Sequence, residues 1–119
     1  MNDTKRYEGS CHCGNVRFEV TTDLGTLTAC NCSMCSRMGW RLTFVQASQF
    51  HLLSGEDALT DYQFAKKNIH HLFCSTCGVR SFCRAAGKDG GTTYGVNVRC
   101  LAGVEADSLP VSHFDGKSL

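Results

Sequence analysis

Seven of the nine cysteines in the chain fall into short groups whose spacing suits metal binding. The segment CNCSMC places Cys30, Cys32 and Cys35 within six positions. Thiolate sulfur is a common zinc ligand, and a tetrahedral site takes four ligands, so this triple leaves one position to be filled. A fourth protein ligand would make the triple a structural clip. An open position would instead let a substrate reach the metal.

Two cysteine pairs, Cys11 with Cys13 and Cys74 with Cys77, supply four further thiolates. Residues two apart on an extended segment point to the same side. Zinc–sulfur bonds of about 2.3 Å in a tetrahedron require sulfurs about 3.8 Å apart, and a slight bend at the glycine after Cys13 would bring the first pair that close. The second pair forms a tight CSTCG knuckle, whose final glycine can take a positive φ. We expect these four cysteines to close one metal site.

The fourth ligand of the triple is not determined by spacing alone. The residues able to close it are His51, His70, His71, Cys83, Cys100 and His113. The two cysteines lie within the apolar segments SFCRA and GVNVRCL, where a lone cysteine is more often a small buried hydrophobe. His51 and His113 have no spacing that ties them to the triple. His70 and His71 come just before the first knuckle cysteine, so we expect at least one of them to face solvent or to donate to a metal ligand. The sequence therefore favours an open fourth position and leaves the closed alternative standing.

The composition predicts a single globular domain without an electrostatic footprint for nucleic acid. The chain has 119 residues, 42% of them hydrophobic, and a formal net charge of +1. A chain of this length forms one modest core. No basic run is longer than Lys66-Lys67, and thiolate-bound metal would make the net charge slightly negative. We expect neither nucleic acid nor an anionic membrane as a partner.

The cellular location is predicted from the first residues and the cysteine content. The segment MNDTKRYEGS contains no apolar run, so we expect neither a signal peptide nor a membrane anchor. We therefore predict a cytoplasmic protein, in which nine cysteines would serve as thiols or metal ligands and not as disulfides.

Hydrophobic alternation indicates a mostly β domain. Val16, Phe18 and Val20 alternate with polar residues, which is the pattern of a half-buried strand. Twelve glycines against one proline favour many tight turns between short strands. Further strands are predicted over 41–45, 49–54, 60–64, 69–73, 79–84 and 93–101. A short helix is predicted over 33–39 with a glycine cap at its end. A turn is expected at 67–68 and a loop tip over 87–93.

Five segments carry a resemblance to a known family. They are, in order, GSCHCGNVRFEV, CNCSMCSRMG, FHLLSGEDALTDYQF, HHLFCSTCGVRSF and GVNVRCL. Together they resemble the glutathione-dependent formaldehyde-activating enzyme family, which includes the centromere protein V type proteins. The resemblance covers about 7–101. It implies a single zinc-binding domain spanning 1–119, folded as a β-tent of twisted antiparallel sheets.

The same resemblance implies two zinc ions per chain. The structural zinc would be held by Cys11, Cys13, Cys74 and Cys77. The catalytic zinc would be held by Cys30, Cys32 and Cys35. The reaction implied is the addition of glutathione to formaldehyde, giving S-(hydroxymethyl)glutathione. That activity is of the carbon–sulfur lyase type and serves formaldehyde detoxification. A related small aldehyde is a further substrate to consider.

The charges of the triple support a thiol as the incoming ligand. Three thiolates donate strongly, so a metal held by them is a weak Lewis acid that suits a soft sulfur ligand. Glutathione carries two carboxylates, for which Arg37 and Arg41 are the nearest cationic candidates. Trp40 is expected in the core. The alternative is a non-catalytic, zinc-stabilised protein-binding module, and no pattern predicts the oligomeric state.

Overall fold

The computed structural model describes residues 4–64, 69–87 and 91–118, and these contain ten strands and one α-helix. The strands are β1 Lys5–Ser10, β2 Arg17–Thr22, β3 Leu27–Cys30, β4 Leu42–Gln46, β5 Phe50–Ser54, β6 Leu59–Tyr62, β7 Ile69–Cys74, β8 Phe82–Ala86, β9 Thr92–Asn97 and β10 Val111–Phe114. The helix α1 is Ser33–Met38. Among the described residues, no helix is long and apolar enough to cross a membrane.

The strands form two sheets. One has three strands in the order β1-β2-β5, and the other has seven in the order β10-β3-β4-β9-β8-β7-β6. Neighbouring strands are antiparallel except β10 and β3, which are parallel. The prediction of a mostly β, single-domain β-tent is confirmed. The parallel pairing of β10 with β3 was not predicted.

The two sheets pack together through aromatic side chains. Alternation along β2 buries Phe18 completely, and its ring stacks on Phe50 at 5.4 Å. Phe50 in turn lies 4.7 Å from Phe82 and 4.4 Å from Tyr94, both on the larger sheet. Each such pair contributes roughly 0.5–1.5 kcal/mol beyond the area it buries. These contacts fix the smaller sheet against one face of the larger sheet.

The opposite face of the larger sheet carries α1 and a second, smaller apolar cluster. This cluster consists of the buried residues Cys35, Trp40, Leu42 and Cys83. Successive residues of a strand point to opposite faces, so on β8 Phe82 faces the smaller sheet while Cys83 faces the helix. The chemistry-bearing side chains of the triple therefore lie on the face that the smaller sheet does not cover.

Most predicted strands are present with shifted ends. The segments 41–45, 49–54, 60–64 and 69–73 correspond to β4, β5, β6 and β7 within a residue or two. The predicted strand 79–84 begins only at Phe82, because the Cys74 N–H donates to the Val79 carbonyl at 3.1 Å and the preceding residues complete the cysteine knuckle. The predicted strand 93–101 ends at Asn97, whose side chain accepts from the Arg99 N–H at 3.2 Å and starts a 3-10 turn.

Three strands were not predicted from the sequence, namely β1, β3 and β10. In β1 only one of six residues is buried, so it has no hydrophobic alternation to detect. β10 lies beyond residue 101 and has only partly buried and exposed residues. The turn expected at 67–68 lies outside the described residues, as do 88–90 of the predicted loop 87–93, and β9 already begins at Thr92.

Candidate metal centres and an adjoining pocket

The two cysteine pairs come together in space. The sulfurs of Cys11, Cys13, Cys74 and Cys77 all lie within 4.8 Å of one another. The Cys11–Cys13 sulfur distance is 3.7 Å and the Cys13–Cys74 distance is 3.6 Å. These values are close to the separation of about 3.8 Å that a tetrahedral zinc–sulfur site requires. The four side chains therefore fit a closed metal site without further ligands.

Backbone geometry brings the second pair into place. Gly78 has a φ of +79°, and its N–H donates to the Cys74 carbonyl at 2.8 Å, which closes the knuckle. The backbone N–H of Val79, and next that of Cys13, donate to the sulfur of Cys77 and hold its pKa at about 6, well below its usual value. A sulfur that accepts backbone hydrogen bonds is stabilised as thiolate, the form that binds metal.

The triple forms a second cluster at the junction of β3 and α1. The sulfurs of Cys30, Cys32 and Cys35 lie within 4.8 Å of one another. Cys30 ends β3, Cys32 is the N-cap of α1, and Cys35 lies in the first turn of the helix. The Cys35 N–H donates to the Cys32 sulfur at 3.3 Å, and the Cys32 N–H donates to the Cys30 sulfur at 3.5 Å. The predicted helix is present, and its Gly39 cap has a φ of +69°.

No fourth ligand closes the triple within the described part of the chain. Among residues 4–64, 69–87 and 91–118, no further histidine, cysteine or carboxylate ligand atom joins the group of three sulfurs. Cys83 is buried in the neighbouring apolar cluster. Cys100 contacts the Arg80 carbonyl at 3.9 Å and packs against the main core. His70 is bound to Asp61 at 2.6 Å.

The remaining histidines also stay apart from the triple. His51 is exposed on β5, opposite Glu19 of the smaller sheet, and His113 is exposed on β10. His71 is buried, yet neither ring nitrogen belongs to the group of three sulfurs. The arrangement therefore has three sulfur donors and room for a ligand from outside the described residues.

The three thiols differ in how readily they ionise. Burial raises the pKa of Cys35 to about 12. Burial acts in the same direction on Cys32, but the backbone N–H of Cys35 and further hydrogen bonds outweigh it and lower the pKa of Cys32. A cation is needed to hold all three as thiolates at neutral pH, because their like charges repel. Three thiolates with one open position suit a soft metal such as zinc.

The end of the chain packs against the triple. The Asn31 side chain donates to Asp115 at 2.9 Å and accepts from the Lys117 N–H at 2.8 Å. A Cβ on Gly116 would lie only 2.5 Å from the Cys30 sulfur, so only glycine fits there without displacement. Segment 114–118 therefore covers one side of the cluster. This contact was not foreseen, because the segment has no periodic pattern that would signal it.

A pocket lies beside α1, the helix that carries Cys35. Its volume is about 270 Å³ and it is lined by Ser33, Met34, Arg37, Tyr62 and Phe64. Two of these residues lie between Cys32 and Cys35 in the chain. Arg37 was a predicted contact for substrate carboxylates, whereas the two aromatic residues were not foreseen. Their side chains come from the distant strand β6 and the residues after it, and strand pairing alone brings them here.

The other side chains singled out near the triple are buried or turned away. Trp40 is buried, as expected, and its indole N–H lies near enough to the Cys35 sulfur to oppose the effect of burial on the thiol's pKa. Arg41 donates to the Trp40 carbonyl at 3.4 Å and does not line the pocket.

Comparisons with known proteins are consistent with this geometry. The family model described as glutathione-dependent formaldehyde-activating enzyme matches residues 6–114. The fold is similar to a crystal structure of a protein from Rhodobacter sphaeroides, with a TM-score of 0.77 and 33% sequence identity. That similarity covers 88% of this chain and 99% of the other.

Proposed function

Because the chain belongs to the glutathione-dependent formaldehyde-activating enzyme family, we propose that it is a zinc-dependent enzyme that adds a thiol to a small aldehyde. The thiol is glutathione, and the aldehyde is formaldehyde or a close relative. With formaldehyde the product is S-(hydroxymethyl)glutathione. The reaction is of the carbon–sulfur lyase type, and its role would be detoxification of the aldehyde. The observation that carries the proposal is a cluster of three sulfurs without a described fourth ligand, with a pocket lined by Ser33 and Met34, the two residues between Cys32 and Cys35.

The two cysteine clusters would hold one zinc ion each. Cys11, Cys13, Cys74 and Cys77 would bind the structural zinc, because four thiolates saturate a tetrahedral ion. Cys30, Cys32 and Cys35 would bind the catalytic zinc. When bound there, zinc supplies the charge that lowers the pKa of an incoming thiol and keeps it as thiolate.

The residues around the triple would bind and orient the substrates. Segment 114–118 closes the side of Cys30, so the substrate enters from the pocket beside α1. The rings of Tyr62 and Phe64 shield the bound thiol from water, and Arg37 at the pocket lining attracts a carboxylate. Formaldehyde is a strong electrophile, so correct placement of the thiolate beside it supplies most of what the reaction needs.

We also propose that the chain has the domain organisation expected from its sequence. The whole chain, 1–119, would act as one zinc-binding domain with its family core at about 7–101. It would work in the cytoplasm on small molecules, and neither nucleic acid nor a membrane would be a partner.

The proposed reaction is tested by comparing Cys32→Ser with Cys83→Ala. Both variants replace a cysteine that belongs to or packs against the same apolar cluster, but only Cys32 belongs to the group of three sulfurs. The rate of exchange between glutathione, formaldehyde and the adduct can be followed by NMR magnetisation transfer above the spontaneous background. We expect the wild type and Cys83→Ala to accelerate exchange and Cys32→Ser to fall to background. Exchange at background rate in folded, two-zinc wild-type protein would contradict the proposal and favour the protein-binding module.

A further inference from the structure

Two side chains near the pocket carry buried nitrogen atoms that lack hydrogen-bond partners. Arg80 has a buried Nη1 atom without a partner, and no described acidic side chain forms an ion pair with it. His71 is only 2% exposed, and neither of its ring nitrogens has a partner. A buried, unpaired donor costs about 1–3 kcal/mol. An unpaired buried polar group in a folded protein needs an explanation, and a ligand that completes it is one.

Both side chains lie beneath the aromatic residues of the pocket. The Arg80 guanidinium lies 5.8 Å from the centre of the Tyr62 ring and 5.0 Å from that of Phe73. The His71 ring lies 5.3 Å from the Phe64 ring. Tyr62 and Phe64 both line the pocket. Tyr62 lies on the edge strand β6, is 45% exposed and stacks on Phe64 at 5.9 Å, so the ring that covers Arg80 is itself at the surface.

The strand register connects these groups to the triple. Tyr62 lies opposite His71, and His71 lies opposite Cys83, on three adjacent strands. Cys83 packs in the same apolar cluster as Cys35. Neighbouring strands are about 4.8 Å apart, so His71 lies one strand spacing and Tyr62 two spacings, roughly 5 and 10 Å, from the Cys83 position beside the sulfur cluster.

The charges of this group suit a carboxylate. Arg80 carries a fixed positive charge and a buried, unused donor. Burial, and next the positive charge of Arg80, lower the pKa of His71, so its ring is neutral and offers one N–H and one acceptor. Asp61, the acidic residue that acts on His71, is already paired with His70.

We propose that Arg80 and His71 form a carboxylate subsite that selects thiols carrying a carboxylate distant from the sulfur. The proposal rests on the proposed function, because the thiol sulfur is placed at Cys30, Cys32 and Cys35. In a glutathione-like peptide thiol, several bonds separate the sulfur from the terminal carboxylates, which suits a subsite one to two strand spacings, roughly 5–10 Å, from the Cys83 position beside the sulfur cluster. Free cysteine holds its carboxylate too close to the sulfur to reach the subsite.

The subsite is tested by measuring thiol binding to the two-zinc protein. The sole tryptophan, Trp40, lies beside the triple and supplies a fluorescence readout, with calorimetry as a second measurement. The probes are glutathione, its diethyl ester, which lacks both carboxylate charges, and 2-mercaptoethanol. The proteins are wild type, Arg80→Gln and, as a matched control, Arg84→Gln, which alters an exposed arginine on β8.

Wild-type protein is expected to bind glutathione about tenfold or more tightly than the diester, since a charge-assisted hydrogen bond contributes that much. Arg80→Gln should lose this preference while binding the diester and 2-mercaptoethanol as the wild type does, and Arg84→Gln should keep it. Equal affinity of the wild type for glutathione and its diester would overturn the subsite and leave the proposed function intact. This comparison uses the wild-type protein alone. An Arg80→Gln variant that weakens all three thiols equally would also overturn it. A wild type that binds none of them would contradict the proposed function itself.

Discussion

At the scale of single residues, cysteine side chains have different roles because their surroundings differ. Cys83 packs beside the triple, but burial raises its pKa to about 11, and it remains a thiol that fills space. Cys32, by contrast, caps a helix and accepts a backbone N–H, which favours its thiolate. Proximity to the triple alone therefore does not make Cys83 a ligand, because its sulfur does not join the group of three sulfurs.

The buried His71 predicts a specific acid sensitivity. Its pKa is lowered in the folded protein, so below about pH 6.5 the unfolded chain binds a proton that the native chain does not. The stability that depends on a neutral His71 is present above that pH and is lost as the pH falls through it. Replacing His71 by Phe removes this loss. We expect the unfolding free energy of His71→Phe minus that of the wild type to increase from pH 7 to pH 5.

Urea unfolding of both zinc-loaded proteins at several pH values measures this difference. Zinc release in acid affects both proteins through the same seven cysteines, so it cancels to a first approximation. A difference that stays constant from pH 7 to pH 5 would show that His71 titrates normally in the folded protein.

At the scale of elements, the final strand and the segment after it complete the triple. β10 pairs in parallel with β3, and this register places Phe114 opposite Cys30. Asn31 then holds the following turn through its side chain. The surroundings of the triple therefore come from the end of β3, from the N-cap and first turn of α1, and from segment 114–118.

The close approach of Gly116 predicts a site-selective loss of metal. A valine side chain at this position would collide with the Cys30 sulfur, because even a Cβ would lie 2.5 Å from it. We expect Gly116→Val to weaken zinc binding at the triple about tenfold or more and to leave the four-cysteine site filled. Zinc titration against a competing chelator measures both affinities.

The matched control is Lys117→Ala, since Lys117 is exposed and contacts Asn31 only through its backbone. Retention of both wild-type affinities in Gly116→Val would show that segment 114–118 does not constrain Cys30.

The sequence predicts the elements with strong local patterns and misses the contacts that depend on register. The spacing of Cys11 and Cys13 and the glycine of the CSTCG knuckle are local properties, and the observed sulfur distance of 3.7 Å and the positive φ of Gly78 agree with them. The placement of His71 opposite Cys83 depends on how β7 pairs with β8, which no local pattern encodes. The same holds for β10, whose four residues acquire their role only beside β3.

At the scale of the whole molecule, β7 connects the two cysteine clusters. It ends in the buried Cys74 of the four-cysteine group, and three residues earlier it presents His71 on the opposite face, toward the pocket. The smaller sheet covers the first of these faces and leaves the second to α1 and the aromatic rings. The four-cysteine cluster thus lies at the end of a strand whose other face carries His71 beneath the aromatic rings of the pocket.

The central claim is that the triple is an open zinc site that receives a thiol. Native mass spectrometry of the zinc-restored protein, with and without glutathione, tests it most directly. We predict two zinc ions in the wild type and one added glutathione. Cys32→Ser should retain one zinc and bind no glutathione. A wild type with two zinc ions that ignores glutathione, or a Cys32→Ser protein that still binds it, would contradict the claim.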